Sequence, residues 1–311
     1  MKNFKPAYIN AFETGVLQDK IKAAHRLMSP CNICPRKCRI DRLSGETGIC
    51  KTGTSAFVSS YNPHFGEEAP LTGTRGSGTI FFTHCNLMCL FCQNFDISHQ
   101  GYGQEVSDKE LAAIMLALQH QGCHNINFVT PSHVVPQILS ALEIAIKDGL
   151  EIPLVYNSGG YDRPSTLRLL ENVFDIYMPD FKFWDGEIAD KACQARDYPE
   201  IARNALREMH RQVGDLTLDE NGIAQKGLLI RHLVLPGGLA GTREIMRFIA
   251  QEISTQSYVN IMSQYRPCGR ASEIEGLNVS VSPTEFQTAL HQAIEEGITR
   301  LDQPRRAFLF R

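Results

Sequence analysis

The chain has 311 residues, 43% of them hydrophobic, and a formal net charge of -3. That length supports one large domain or two modest ones around a buried core, and the near-neutral charge argues against a broad nucleic-acid-binding or membrane-binding face. The opening "MKNFKPAYINAFETG" has no apolar signal core and no run approaches membrane-spanning length, so the expected location is cytoplasmic, with neither nucleic acid nor membrane as partner.

In chain order, residues 1–75 read as a cysteine-rich N-terminal extension packed on a main domain of residues 76–311. "GTRGSG" (73–78) superficially suggests a nucleotide fingerprint, but it precedes a strand instead of linking strand to helix. Arg75 is kept as a candidate cavity residue. "GTIFF" (78–82) is a short apolar strand before a cysteine loop. "SDKELAAIMLALQHQG" predicts a helix: Ser107 and Glu110 have capping-box spacing, Leu111, Ile114, Met115 and Leu118 share a face, and Gly122 stops it. "INFVT" (126–130) predicts a strand, and 136–147 a helix ending near Gly149. "IPLVYNS" (152–158), "VFDIYMPD" (173–180), "LLIRHLVL" (228–235) and "YVNIMSQY" (258–265) predict buried strands. Helices follow them from near Ser165, Pro199, Thr242 and Thr284.

Six strand-then-helix units imply a parallel sheet covered by helices, either an open doubly wound sheet or an incomplete barrel. In both, the chemistry belongs at the C-terminal ends of the strands. The polar residues stand there: "THC", "TPSH", "NSGG", "PDFK", "PGG" and "QYRPC" in turn.

Ten cysteines in a reducing compartment call for metal binding or catalysis more than disulfides. Four lie at Cys31, Cys34, Cys38 and Cys50, three at Cys85, Cys89 and Cys92, and Cys123, Cys193 and Cys268 stand alone. Thiolates are soft ligands that suit iron–sulfur clusters or zinc. A cubane normally takes four thiolates, so three on one loop leave an iron open to a small ligand, as a catalytic centre requires. The competing reading is a zinc knuckle completed by His84 or His99. His84 adjoins Cys85, which makes joint chelation awkward, and His99 lies seven residues past Cys92.

Cys85-x3-Cys89-x-Phe91-Cys92 resembles the signature of the radical S-adenosylmethionine (SAM) superfamily, including the aromatic residue before the third cysteine. The resemblance implies a 4Fe–4S cluster on Cys85, Cys89 and Cys92 whose open iron holds the amino and carboxylate groups of SAM. It also implies reductive cleavage of SAM to methionine and a 5′-deoxyadenosyl radical that abstracts hydrogen. The implied fold is a partial (β/α)6 barrel of the TIM type, which matches the six units, and the implied electron source is a low-potential donor such as flavodoxin or ferredoxin. "CNICPRKCRIDRLSGETGIC", "HFGEEAPLTGTRGSGTIFF", "CQNFDISH", "MPDFKFWD", "RHLVLPGG" and "QYRP" further resemble the PflX-like subgroup related to pyruvate formate-lyase activating enzyme, over about residues 31–268.

Radical SAM enzymes usually carry Gly-Gly-Glu after the second strand, contacting the SAM amino group; here that place reads "VTPSH" and the glutamate is absent. Thr130, Ser132 or backbone carbonyls are the candidate replacements, with capping of the next helix as the competing role for both hydroxyls. Asn157 and Ser158 stand where related enzymes hold the ribose and methionine of SAM, and Gly159 and Gly160 allow close backbone approach. "PDFK" resembles the Asp-Leu-Lys stretch of the activating enzymes, giving Asp180 a ribose or cation contact and Lys182 a carboxylate contact; a solvated surface pair is the alternative. Phe91 and Asn94 complete the expected SAM pocket. His232 reads as a packed strand residue, and Cys268 as an ordinary cysteine or a hydrogen-atom donor.

Cys31-x2-Cys34-x3-Cys38-x11-Cys50 supplies enough thiolates to close a zinc site or hold a second 4Fe–4S cluster, and its spacing does not separate them. Arg36 and Lys37 would offset thiolate charge. The expectation is therefore a cytoplasmic radical SAM oxidoreductase acting on an unidentified substrate, in one version activating a glycyl-radical protein. In another version it modifies a peptide or small metabolite. The rival from a different class is a non-catalytic iron–sulfur or zinc protein for electron transfer or partner binding.

Overall fold

A computed structural model describes residues 4–302 of the chain. Its sheet has nine strands: β1 (Ala56–His64), β2 (Ser77–Phe82), β3 (Gln104–Val106), β4 (Ile126–Val129), β5 (Leu154–Ser158), β6 (Ile176–Pro179), β7 (Thr217–Leu218), β8 (Ala224–Leu233) and β9 (Tyr258–Met262). Six of them, β2, β4, β5, β6, β8 and β9, pair parallel and in chain order. These are the six predicted strands, with ends shifted by a few residues. The sheet does not close: β9 pairs with β8, and the opposite edge is extended by β1 and β3, both antiparallel. The result is an α/β fold of the partial-barrel kind.

The helices between the strands start where local chemistry allows. Ser107 accepts from the backbone N–H of Glu110 and the Glu110 side chain returns to Ser107, the expected capping box, at the head of helix Asp108–His120. Ser282 and Glu285 repeat this before helix Pro283–Glu295. Helices Val135–Lys147, Pro164–Leu169 and Tyr198–Val213 carry proline in their first turn, where its missing N–H costs nothing. Helix Thr242–Phe248 runs on into a π turn, Ile249–Ile253.

Strand alternation divides the sheet into two faces. The row Ile80–Phe128–Tyr156–Tyr177 joins the helices in the main core, with Phe82 and Phe174 packed among these rings. The next row, Phe81–Val129–Asn157, faces the barrel interior and lines its cavity. Deeper inside, Val155, Ile176, Met178, Leu216 and Leu229 form a second apolar cluster, closed by Leu71 from the short helix Ala69–Thr72 before β2. The barrel interior therefore has a dry floor and a polar upper level.

The N-terminal segment contributes more than an appendage. Helices Ala7–Glu13 and Val16–Arg26 pack on the barrel exterior; Ala7 N–H donates to Asp175 Oδ1 at 2.9 Å and Tyr8 hydroxyl to the Ile152 carbonyl at 2.9 Å. Strand β1, absent from the sequence expectation, pairs with β2 along most of its length. Its composition hides it: "AFVSSYNPH" carries Pro63, tolerable because beyond Val58 the strand has β2 as its sole neighbour. Among the described residues no helix is long and apolar enough to cross a membrane.

Candidate active site

A cavity of about 400 Å³ opens at the C-terminal ends of the parallel strands. Every one of the six contributes to its wall. The loop after β2 supplies Cys85, Cys89, Phe91, Cys92 and Asn94; the end of β4 supplies Thr130, and that of β5 Asn157, Ser158 and Gly159. Asp180 and Lys182 follow β6, Arg231 and Leu233 come from β8, and Gln264 and Tyr265 follow β9. All eleven expected residues of the loop and strand ends meet here except Ser132, which is buried but does not line the cavity. Arg75, Gly237, Gly238, Cys268, His84 and His99 also lie outside its lining. His232 is a structural residue, spanning the Phe181 carbonyl and the Thr242 hydroxyl at 2.8 and 2.9 Å.

The cysteine loop is held by its backbone and by side chains whose reach is not visible in the sequence. His84 and Met88 adopt positive φ, which turns the chain twice within five residues. His84 N–H donates to Ile97, Leu90 N–H to Ala192, and Arg270 N–H to Leu90. Asn86 donates to the Tyr161 carbonyl at 2.7 Å. Arg36, from the N-terminal cysteine segment, lies over the Tyr161 ring and donates to four carbonyls: Asn86 and Leu87 of the loop, each at 2.9 Å, Cys193 at 2.7 Å, and Gln194. A charged donor satisfying several buried acceptors fixes their relative positions. Nothing in the spacing of "CPRKC" shows this reach.

The three thiols are poorly disposed to ionise by themselves. Burial, and then the neighbouring thiols, push Cys85 up to about 12. Cys89 is raised well above the usual thiol range, first by its contact with Cys193 and then by burial; Cys92 is raised chiefly by burial. Cys193, which no pattern in the sequence flagged, donates its S–H to Cys89 Sγ at 3.4 Å. Apolar thiols become ligands when a metal displaces their protons. Among the described residues no three Cys, His, Asp or Glu side chains converge on one point as a single ion requires. The thiolates of a cluster each hold a different iron and share no such point. Three thiols spread around one cavity, with an ammonium group nearby, fit a cluster.

Beside the thiols runs a buried chain of charges. Lys182 donates to Asp180 Oδ2, and Arg231 Nε donates to Asp180 Oδ1 at 2.8 Å. Arg231 also reaches Glu67 at 3.5 Å. Burial alone would raise Asp180, but Arg231 and Lys182 hold it below its ordinary value. Burial pushes Glu67 up to about 7, Arg231 opposing and Glu68 and Asp180 adding to the rise. The alternative of a solvated surface pair at Asp180 and Lys182 does not hold, because both belong to a buried network with Arg231 and Glu67.

Close backbone approach is required at one of the two glycines after β5. A Cβ on Gly160 would lie 2.2 Å from the Asp180 carbonyl oxygen, and φ there is +75°. Gly160→Ala is expected to cost about 2–4 kcal/mol in urea unfolding, through strain and the displaced β6 end. A loss under about 1 kcal/mol would mean that the two strand ends are free to separate.

The four N-terminal cysteines also come together. Cys31, Cys34, Cys38 and Cys50 line one small pocket with Arg36, Arg42 and His133. Burial, then the neighbouring Cys50, push Cys34 up to about 12, and burial raises Cys50. A Cβ on Gly48 would stand 2.7 Å from Cys38 Sγ, so the glycine before the last cysteine lets the segment fold over Cys38.

Residues 79–220 match the family described as the radical SAM superfamily. A relative, the uncharacterised protein MJ0674 of Methanocaldococcus jannaschii, is 31% identical over 302 residues, covering 94% of this chain and 82% of the relative. The chain belongs to the radical SAM superfamily. Membership implies a 4Fe–4S cluster and SAM, and Cys85, Cys89 and Cys92 lie within the matched residues. Among solved structures, methylornithine synthase (PylB) is similar with a TM-score of 0.47 at 17% identity, over 70% of this chain and 62% of its own, too distant a likeness to carry function. In a radical SAM chain the absence of glutamate after β4 stands out: Thr130 occupies that wall of the cavity.

Proposed function

We propose that this radical SAM protein is an oxidoreductase of the cytoplasm that cleaves SAM reductively and takes a hydrogen atom from a glycine of a partner protein, a glycyl-radical enzyme. The meeting of three thiols, Cys89 buried and Cys85 and Cys92 partly so, with polar groups from all six strand ends in one cavity carries the enzymatic part of this reading. The sequence resemblance to the activating enzymes favours a protein as the hydrogen source, and flavodoxin or ferredoxin as the electron donor.

When bound, cluster and SAM supply a reducing electron and a 5′-deoxyadenosyl radical. The chain's own residues orient and enclose. Phe91, packed edge-on against Phe183 at 5.8 Å and beside Tyr265 at 5.9 Å, gives an apolar wall that excludes water. Asn157 and Thr130 offer neutral hydrogen-bonding groups on the inner face. Ser158 is committed: its hydroxyl donates to Asp162 at 2.5 Å and accepts from Gly160 N–H, so it shapes the strand end more than it contacts a ligand. Lys182 sets a positive charge beside the thiols, suited to a carboxylate. The N-terminal cysteine pocket, on this reading, holds a second metal centre that braces the loop through Arg36.

Anaerobically reconstituted protein given dithionite and SAM is expected to form 5′-deoxyadenosine and methionine in equal amounts. No 5′-deoxyadenosine from protein whose cluster is reduced would sink the enzymatic reading and leave an electron-transfer or binding role.

A further inference from the structure

The N-terminal pocket has one lining residue from outside residues 31–50, and it is a histidine. His133 follows β4 in "VTPSH", is 1% exposed, and joins the four cysteines around the pocket. Its Nε2 lies 3.0 Å from the Thr83 carbonyl, which can only accept, so Nε2 carries the proton. A neutral imidazole donates through one nitrogen and presents a lone pair at the other. Nδ1 is therefore an acceptor, buried and without a hydrogen-bond partner. A buried, unmet lone pair costs free energy unless a proton donor or a metal ion meets it. Metal-binding histidines characteristically donate their second ring N–H to a backbone carbonyl, which fixes tautomer and orientation. His133 has that arrangement.

Five donors are then available where zinc or a cubane takes four. Cys31, Cys34 and Cys50 are buried; Cys38 alone is half-exposed. Resting on the reading of a second metal centre, we propose that this centre is ligated by Cys31, Cys34, Cys50 and His133, with Cys38 outside the ligand set. The ligand is a thiophilic metal, as one zinc ion or as an iron–sulfur cluster. Among the described residues no three of these donors meet on one point as they stand, so the proposal requires residues 31–50 to adjust when metal binds. The arrangement ties the second centre to the catalytic loop, because the carbonyl that His133 holds belongs to Thr83, two residues before Cys85.

The test uses the full chain carrying Cys85→Ser, Cys89→Ser and Cys92→Ser, so that any remaining metal belongs to the N-terminal pocket. Metal analysis after loading with zinc, or with iron and sulfide, separates the two sources. X-ray absorption at the bound metal is expected to show one imidazole nitrogen beside the sulfur shell. Adding His133→Gln, which keeps a donor for Thr83 and removes Nδ1, should erase that nitrogen and weaken metal retention against a chelator at least about tenfold. Cys38→Ser should retain the metal within about threefold. An all-sulfur shell in the chain that keeps His133 overturns the proposal whether or not the glutamine variant folds, and leaves the second centre standing. A chain that retains no metal under either loading overturns the second centre and the proposal with it.

Discussion

Cys89→Ala is expected to lower 5′-deoxyadenosine formation at least about a hundredfold and to remove the iron bound by the loop, with little loss of fold. The lower bound follows from what changes around metal ligands do, since altering a residue that merely touches a ligand already costs about 10–100-fold in affinity or activity. Cys89 is the most enclosed of the three thiols, 9% exposed, with Lys182 acting on it and Cys193 donating to it. Alanine removes one sulfur and leaves the neighbouring loop bonds, all made by backbone or by Asn86 and Arg36, in place. Iron content and anaerobic turnover are the measurements; persistent cleavage in Cys89→Ala would show that the cluster is held elsewhere. Cys193→Ala supplies the control. It deletes a hydrogen bond to a ligand sulfur, so it should retain iron and shift the reduction potential, which such bonds tune.

The parts of the fold legible in the sequence were those governed by short-range periodicity and covalent spacing. Strands β2, β4, β5 and β6 are buried along nearly their whole length, so each reads as a near-continuous apolar run, and β8 and β9 keep a buried apolar stretch of their own. The capping box at Ser107 and Glu110 is a local hydrogen-bond pattern and reads equally well. β1 was not legible because a strand with Ser, Asn and Pro, paired only to β2 beyond Val58, carries no such run. The site divided on the same line. Cys85, Cys89 and Cys92 are fixed by spacing within one loop, whereas Arg36, Cys193 and Glu67 reach their partners across long stretches of chain. Arg231 carries a signal in the sequence. In "LLIRHLVL" Leu229, Arg231 and Leu233 alternate with Leu228, Ile230 and His232; an arginine on one face of a buried strand needs a buried anion. His232, expected to be a packed residue, is one, and Arg231 beside it faces the cavity.

That arginine leads to the second large effect. Asp180→Asn is expected to destabilise the protein by about 3–5 kcal/mol at pH 7, because removing one member of a buried ion pair leaves uncompensated charge. Here two cations are left: Lys182 and Arg231, whose side chains are 16% and 19% exposed and both bonded to Asp180. The double variant Asp180→Asn, Lys182→Met removes one of the stranded cations and should recover part of the loss. A pH profile identifies the network. Asp180 is held below its ordinary value, so its contribution is full above the unfolded value of about 4 and is lost as pH falls through the folded one. Glu67 has the opposite sign: raised to about 7, it favours the folded state while protonated, and that stability declines as pH rises from about 4.3 towards 7. Taking away Asp180 removes a like charge from Glu67 and leaves Arg231 to it alone, which lowers its pKa and flattens the decline. Urea unfolding from pH 4 to 8 should therefore show Asp180→Asn less stable across the whole range, with a shallower decline between about pH 4.3 and 7 than wild type or an equally destabilised core variant, so that its loss narrows towards pH 7. A loss under about 1 kcal/mol with an unchanged slope would mean that solvent screens these charges and that no buried network links the thiol loop to the barrel floor.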